Sequence, residues 1–85
     1  MAAVTRQGEE FTVDAAIIAD GLDLPQHAIA RAMSTGAITT RTERGEGTDA
    51  GRFRLSFFHR DRVLRLTVDA EGEILSRARF RRSAG

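Results

Sequence analysis

The 85-residue chain contains no cysteine, tryptophan, tyrosine or lysine, and it has a single proline. The lack of cysteine excludes disulfides, iron–sulfur clusters and the cysteine-rich kind of structural zinc site. No apolar run approaches the roughly 18 residues that a membrane-spanning helix needs, and residues 1–6 lack the apolar core of a signal peptide. We therefore expect a cytoplasmic protein that is not inserted in a membrane.

With 41% hydrophobic and 29% charged residues, the composition is that of a globular domain rather than of a disordered chain. A domain of this size buries about 60–65% of the surface that its unfolded chain exposes. We predict a single domain over residues 10–81, between a loose tail at 1–9 and a short tail at 82–85. All 13 basic residues are arginine, a bias that we attribute to a GC-rich genome.

Charge is spread unevenly along the chain, although the net charge is only +1. Residues 1–35 hold two arginines and five acidic residues, a net charge of −3, whereas residues 36–85 hold eleven arginines and seven acidic residues, a net charge of +4. Such asymmetry bears on the choice of partners rather than on the fold.

The first part of the chain favours a short strand and two helices. Glu10–Val13 alternates polar and apolar residues, and Asp14 suits the N-cap of a helix over 15–20. Gly21 interrupts that helix. The single proline, Pro25, fits the first position of a second helix that runs to Ser34.

The rest of the chain indicates strands, because apolar and polar residues alternate with period two between glycine-rich turns. The predicted strands cover residues 37–44, 52–58, 62–68 and 74–80. Short connections favour an antiparallel meander. We therefore predict an α+β fold in which two short helices pack on one face of a three- or four-stranded antiparallel meander, to which a short N-terminal strand can be added.

The same alternation predicts an arginine-rich face on the other side of the sheet. By parity that face carries Glu43 and the arginines Arg41, Arg52, Arg54, Arg65, Arg77 and Arg79. Parity turns Phe53, Phe57 and Phe80 inward and leaves Phe58 outside the pattern. Guanidinium groups bind carboxylates and phosphates bidentately, so this face could receive an acidic protein or an anionic ligand. The alternative is a solvated face on which arginine and glutamate form cross-strand pairs.

A loop at 43–51 adds three glycines and further acidic residues beside that face. Its spacing matches neither the twelve-residue calcium loop nor a phosphate-binding loop, so we predict no metal and no cofactor. The candidate binding residues, from the face and the loop together, are Arg41, Glu43, Glu46, Asp49, Arg52, Arg54 and Arg65.

Nucleic-acid binding is an alternative, because two helices followed by a hairpin loosely resemble a winged-helix protein. The second predicted helix, however, exposes Arg31 as its one cation and lies beside a helix region rich in aspartate. Parity also leaves few outward aromatic rings on which RNA bases could stack. Nucleic acid is thus possible and not favoured, and the oligomeric state is left open.

Catalysis has little support in the sequence. His27 and His59 lie far apart in the chain, and no serine stands in a nucleophile motif. We therefore expect a protein that is not an enzyme.

The runs Ile38–Phe58 and Leu64–Asp69, followed by Gly72, resemble a family of small, uncharacterised proteobacterial proteins. The resemblance spans residues 11–75 and implies no activity. We therefore predict a small binding or regulatory module that contacts an acidic protein or an anionic ligand through the arginine-rich sheet face.

Overall fold

The computed structural model describes residues 4–8 and 10–82 of the chain. In chain order the elements are β1 (Val4–Gln7), β2 (Glu10–Val13), α1 (Ala15–Leu22), a 3-10 turn (Gln26–Ala28), α2 (Ile29–Ser34), β3 (Thr39–Arg44), a second 3-10 turn (Gly47–Asp49), β4 (Arg52–His59), β5 (Arg62–Asp69) and β6 (Ile74–Arg81). Strands β1 and β2 form an antiparallel hairpin, and β3 to β6 form a four-stranded antiparallel sheet in sequence order. The predicted α+β fold is confirmed.

The N-terminal segment is better ordered than the sequence indicated. Val4–Gln7 pairs with Glu10–Val13, and Val4 is 2% exposed within the core. The prediction of a loose tail is therefore wrong for these four residues, because so short a strand holds too few alternations to be recognised. The parts of the predicted tails at residues 1–3, 9 and 83–85 lie outside the described residues.

Helix α1 begins as expected and ends later than expected. Asp14 caps it, since the carboxylate oxygen Oδ1 accepts a hydrogen bond from the backbone N–H of Ala16 at 2.9 Å. The helix continues through Gly21 to Leu22. A Cβ atom at Gly21 would overlap the side chain of Leu64 on β5, so this glycine lets the helix approach the sheet closely rather than interrupting the helix.

The second helical segment is shorter than predicted. Pro25 is extended, with ψ of 140°, so helical backbone starts one residue later, as the 3-10 turn Gln26–Ala28. Helix α2 then covers the six residues Ile29–Ser34, and Ile29 is 2% exposed in the core. One predicted helix is therefore two short helical pieces.

The core lies between one face of the four-stranded sheet, here called the inner face, and a layer made of α1, α2 and the β1–β2 hairpin. Phe11 of the hairpin contacts Phe53 of the sheet with ring centroids 5.0 Å apart, and the guanidinium of Arg6 lies 4.7 Å from the centroid of Phe53. The buried apolar residues of the sheet and helices include Ile18, Leu22, Ile29, Leu55, Phe57, Leu64, Leu66 and Val68. The inward parity predicted for β4 and β5 is confirmed.

We expect Gly21→Ala to destabilise the domain even though alanine favours helix by about 1 kcal/mol over glycine. Overpacking of a core costs about 1–3 kcal/mol, and Leu64 is fully buried. Urea unfolding measures the change. Gly21→Ala/Leu64→Val should lose less stability than the sum of the two single variants, because the shorter side chain makes room for the new methyl group. A Gly21→Ala chain as stable as the natural one would contradict this packing.

Candidate functional site

Strand β6 contains one extra residue that changes which side chains share a face. Val68 of β5 lies opposite Ile74, whereas the preceding Thr67 lies opposite Ser76, so Leu75 has no partner of its own. Such a bulge places two residues of one strand against one of the other. From Ser76 onward, each side chain of β6 therefore points to the face opposite the one that parity from Ile74 predicts.

The bulge corrects part of the predicted arginine face. Arg77 lies opposite Leu66 and Arg79 opposite Leu64, which are core residues of the inner face. Both arginines therefore lie on the inner side of β6, and Phe80 lies on the opposite side, here called the outer face. The predicted faces of Arg77, Arg79 and Phe80 are wrong, because parity alone does not detect an extra residue.

The outer face is a grid of three rows that run across all four strands. One row is Glu43, Arg54, Thr67 and Ser76; the next is Arg41, Ser56, Arg65 and Ala78; the third is Thr39, Phe58, Val63 and Phe80. Two rows are thus polar and charged, and the third is largely apolar. Within the described part of the chain, the helices and the hairpin pack on the inner face instead.

Three arginines of the grid surround one buried hydroxyl. Arg41 and Arg65 are the cross-strand neighbours of Ser56 on its two sides, and Arg54 lies two residues from Ser56 along β4. Ser56 itself is 1% exposed. We refer to Arg41, Arg54 and Arg65 as the arginine triangle.

One corner of the arginine triangle is held in place by its neighbours. The Nε–H of Arg65 donates a hydrogen bond to Oγ of Ser56 at 3.4 Å, and its guanidinium lies 4.9 Å from the ring centroid of Phe80. The hydrogen bond satisfies a buried hydroxyl, and the ring contact is a cation–π interaction. These contacts use only the Nε–H group and one face of the guanidinium, so other N–H groups of Arg65 can still donate hydrogen bonds.

The other two corners of the triangle have no such partners in the described part of the chain. Arg41 and Arg54 are exposed, and neither forms a hydrogen bond or ion pair with another described residue. Glu43 lies directly opposite Arg54 in the register, yet no ion pair within 4.0 Å joins them. The cross-strand arginine–glutamate pairing of a solvated face is therefore not formed at this position.

Beside the triangle, the loop after β3 closes a concavity of about 360 Å³. It is lined by the arginines Arg44, Arg52 and Arg54, the acids Glu43 and Asp49, and polar groups of Thr67 and Ser76. Arg52 and Asp49 approach to 3.9 Å with side chains more than half exposed, so this ion pair adds little stability. The mixture of guanidinium and carboxylate groups suits a polar or anionic ligand.

Four of the seven predicted binding residues, Glu43, Asp49, Arg52 and Arg54, line this concavity. Arg41 and Arg65 lie one row away, in the arginine triangle. Glu46 is exposed just before the 3-10 turn and does not line the concavity, although its carbonyl accepts a hydrogen bond from the N–H of Asp49 at 3.0 Å. Sequence reasoning missed Arg44, Thr67 and Ser76, since only the cross-strand register and the loop bring them to this place.

Neither a metal site nor a membrane span is found in the structure as described. No group of three or more histidine, aspartate or glutamate side chains among residues 4–8 and 10–82 could hold a metal ion. In the same ranges, no helix has the length and apolar character needed to cross a bilayer.

Comparison with known families identifies the domain. A model of a family of unknown function, DUF6522, matches residues 1–84. The chain belongs to this family. No curated protein and no solved structure gives a match. The predicted resemblance to a family of uncharacterised proteins is confirmed. Because the function of DUF6522 is unknown, membership in it implies no biochemical activity.

The structure predicts that Val63, an outward residue in the apolar row of the outer face, contributes to stability through packing. Val63 is 1% exposed although it lies on the outer face, whereas Leu75 at the bulge is 46% exposed. We expect Val63→Ala to reduce the free energy of unfolding by about 1–3 kcal/mol. Leu75→Ala, the matched control, should change it by about 0.5 kcal/mol or less. Thermal or urea unfolding compares the two, and equal effects would contradict the assigned faces.

Proposed function

We propose that the protein is a non-catalytic binding module that takes an acidic segment of a partner protein on the outer face of its sheet. The observation that carries the proposal is the state of the arginine triangle. Two of its members, Arg41 and Arg54, are exposed and have no ion pair among the described residues, while Arg65 is held between Ser56 and Phe80.

The geometry of the triangle suits carboxylates on an extended chain. Neighbouring strands lie about 4.8 Å apart, so the backbone positions of Arg41 and Arg65, which are separated by β4, lie about 10 Å from each other. Arg54 lies between them and one row along. Acidic side chains on one face of an extended segment repeat at about 6.8 Å, a spacing that flexible guanidinium groups can reach.

Among the described residues, no acidic side chain forms an ion pair with Arg41 or Arg54. An exposed arginine loses little by staying hydrated, so its charge remains free to attract an anion. A carboxylate that meets two guanidinium forks at once gains bidentate hydrogen bonds as well as charge attraction.

Nucleic acid remains the second candidate, because the outer face carries two aromatic rings after all. Phe80 is 40% exposed, and Phe58 lies in the same row. Each ring, however, already has a guanidinium over it, from Arg65 at 4.9 Å and from Arg82 at 4.8 Å. A stacked base would have to displace these cations, so the aromatic row supports nucleic-acid binding less than open rings would.

A hexaglutamate peptide carrying a fluorophore serves as the probe. We expect binding at low salt that weakens as salt is raised, and at least tenfold weaker binding by Arg54→Gln/Arg65→Gln. Arg77→Gln/Arg79→Gln is the matched control, because it removes the same charge from the inner side of β6. Its affinity should change less than twofold. Equal losses in both double variants, or no binding at low salt, would overturn the proposal.

The second candidate is tested with mixed single-stranded oligonucleotides and a heparin column. We expect no mobility shift and weak retention on heparin at low salt. A shift that Arg54→Gln/Arg65→Gln abolishes would favour nucleic acid over an acidic protein segment, since phosphate contacts dominate such binding.

A cytoplasmic location and a proteobacterial origin stay proposals that rest on composition and on the resemblance of residues 11–75. The non-catalytic character is a proposal as well. It rests on the sequence, in which His27 and His59 lie far apart and no serine stands in a nucleophile motif.

A further inference from the structure

The four-stranded sheet ends in two strands, β3 and β6, that each pair on one side with the described residues. An open edge presents unpaired backbone N–H and C=O groups and can pair with another chain. The two edges differ in charge. Strand β6 with its following residue carries Arg77, Arg79, Arg81 and Arg82 and no acidic residue, so two copies of β6 would bring like charges together.

Strand β3 carries no such run of charges of one sign. It contains no proline, its register with β4 is regular over all six residues, and Thr39 to Thr42 are exposed. Its outer face alternates an arginine and a glutamate, Arg41 and Glu43, and neither has a hydrogen bond or ion pair with another described residue. A strand with one charge of each sign can complement a second copy of itself.

The hydrogen bonds of the sheet determine which backbone groups of β3 face the open edge. The N–H of Gly45 donates to the carbonyl of Arg52 at 2.8 Å. Hydrogen-bonded and non-hydrogen-bonded pairs alternate along an antiparallel ladder, so Glu43 and Arg41 also direct their backbone groups toward β4. The backbone groups of Thr40 and Thr42 therefore point outward.

These directions limit how two copies could pair about a twofold axis. A register centred on Arg41 sets arginine opposite arginine, and one centred on Glu43 sets glutamate opposite glutamate. A register centred on Thr42 instead places Arg41 of each copy opposite Glu43 of the other. In that register the outward backbone groups of Thr42 meet at the axis, while Arg41 and Glu43 occupy non-hydrogen-bonded positions, where side chains lie closest.

We propose that two copies of this chain associate through β3 in the register centred on Thr42. The two four-stranded sheets then form one eight-stranded antiparallel sheet with a twofold axis. The interface is self-complementary, as a closed dimer requires, and each of its two ion pairs uses a charge that is unpaired among the described residues. The inference goes beyond the proposed function, since it needs no anionic partner. In the dimer Arg41 pairs with Glu43 of the second copy, which leaves Arg54 and Arg65 for an acidic segment.

An apolar groove next to the open edge of β3 also favours a second copy of the chain as the partner. The groove, of about 280 Å³, lies between β3 and the layer on the inner face, and Thr40 and Thr42 form part of its wall. Its other walls include Phe11, Val13 and Met33, and Met33 is 39% exposed. Pairing at the register centred on Thr42 brings the grooves of the two copies together beside the axis.

Sedimentation over a range of protein concentrations tests the proposal with the full chain. We expect the natural chain to dimerise. Arg41→Glu and Glu43→Arg should each weaken dimerisation at least tenfold, because each places two pairs of like charges across the axis. The doubly reversed variant, R41E/E43R, should regain most of the affinity, since opposite charges again lie opposite each other. Arg77→Glu on β6 is the control and should have no effect.

Thr42→Pro provides a second test that leaves the charges unchanged. The N–H that it removes points away from β4, so the monomer should keep its circular dichroism spectrum while dimerisation is lost. A natural chain that stays monomeric at its highest soluble concentration would overturn the proposal. So would a doubly reversed variant as weak as the single variants, or a folded Thr42→Pro chain that still dimerises.

Discussion

The register between neighbouring strands of the four-stranded sheet is the constraint on which the rest of the structure depends. Because side chains alternate with period two, each register sets which residues enter the core and which form the outer face. The regular pairing of β3, β4 and β5 surrounds Ser56 with arginines, and the one-residue bulge at Leu75 turns Phe80 to the outer face. A single extra residue thus changes the chemistry of both surfaces of β6.

The inner face is the part of the sheet that the fold has to cover. Helix α1 covers it at close range through Gly21. The hairpin covers it through Phe11, whose ring contacts Phe53 near the start of β4. A domain of this size has a small core, so a hairpin of eight described strand residues that brings Val4 and Phe11 to the sheet makes a real contribution. The outer face can remain exposed to solvent, because two of its rows are polar and guanidinium groups lie over the aromatic rings of the third row.

Arginine side chains have two roles on the outer face. Arg65 and Arg82 lie against aromatic rings and shield apolar surface with their guanidinium groups. Arg41 and Arg54 lie free of such contacts among the described residues, and their charges remain available. The arginine content of the chain therefore does not by itself indicate a binding surface, since the same residue type serves packing in one row and presents charge in the next.

The sequence by itself determined the fold class, the N-cap at Asp14, and the inward residues of β4 and β5, because capping and alternation act over a few residues. It also placed Arg41, Arg54 and Arg65 on one face. Tertiary structure alone decided that Val4–Gln7 is a strand and that Arg77 and Arg79 leave the arginine face. It also decided that Glu43, although opposite Arg54, forms no ion pair among the described residues. These features arise from pairing between segments distant in the chain, and a pattern within one segment carries no information about its partner.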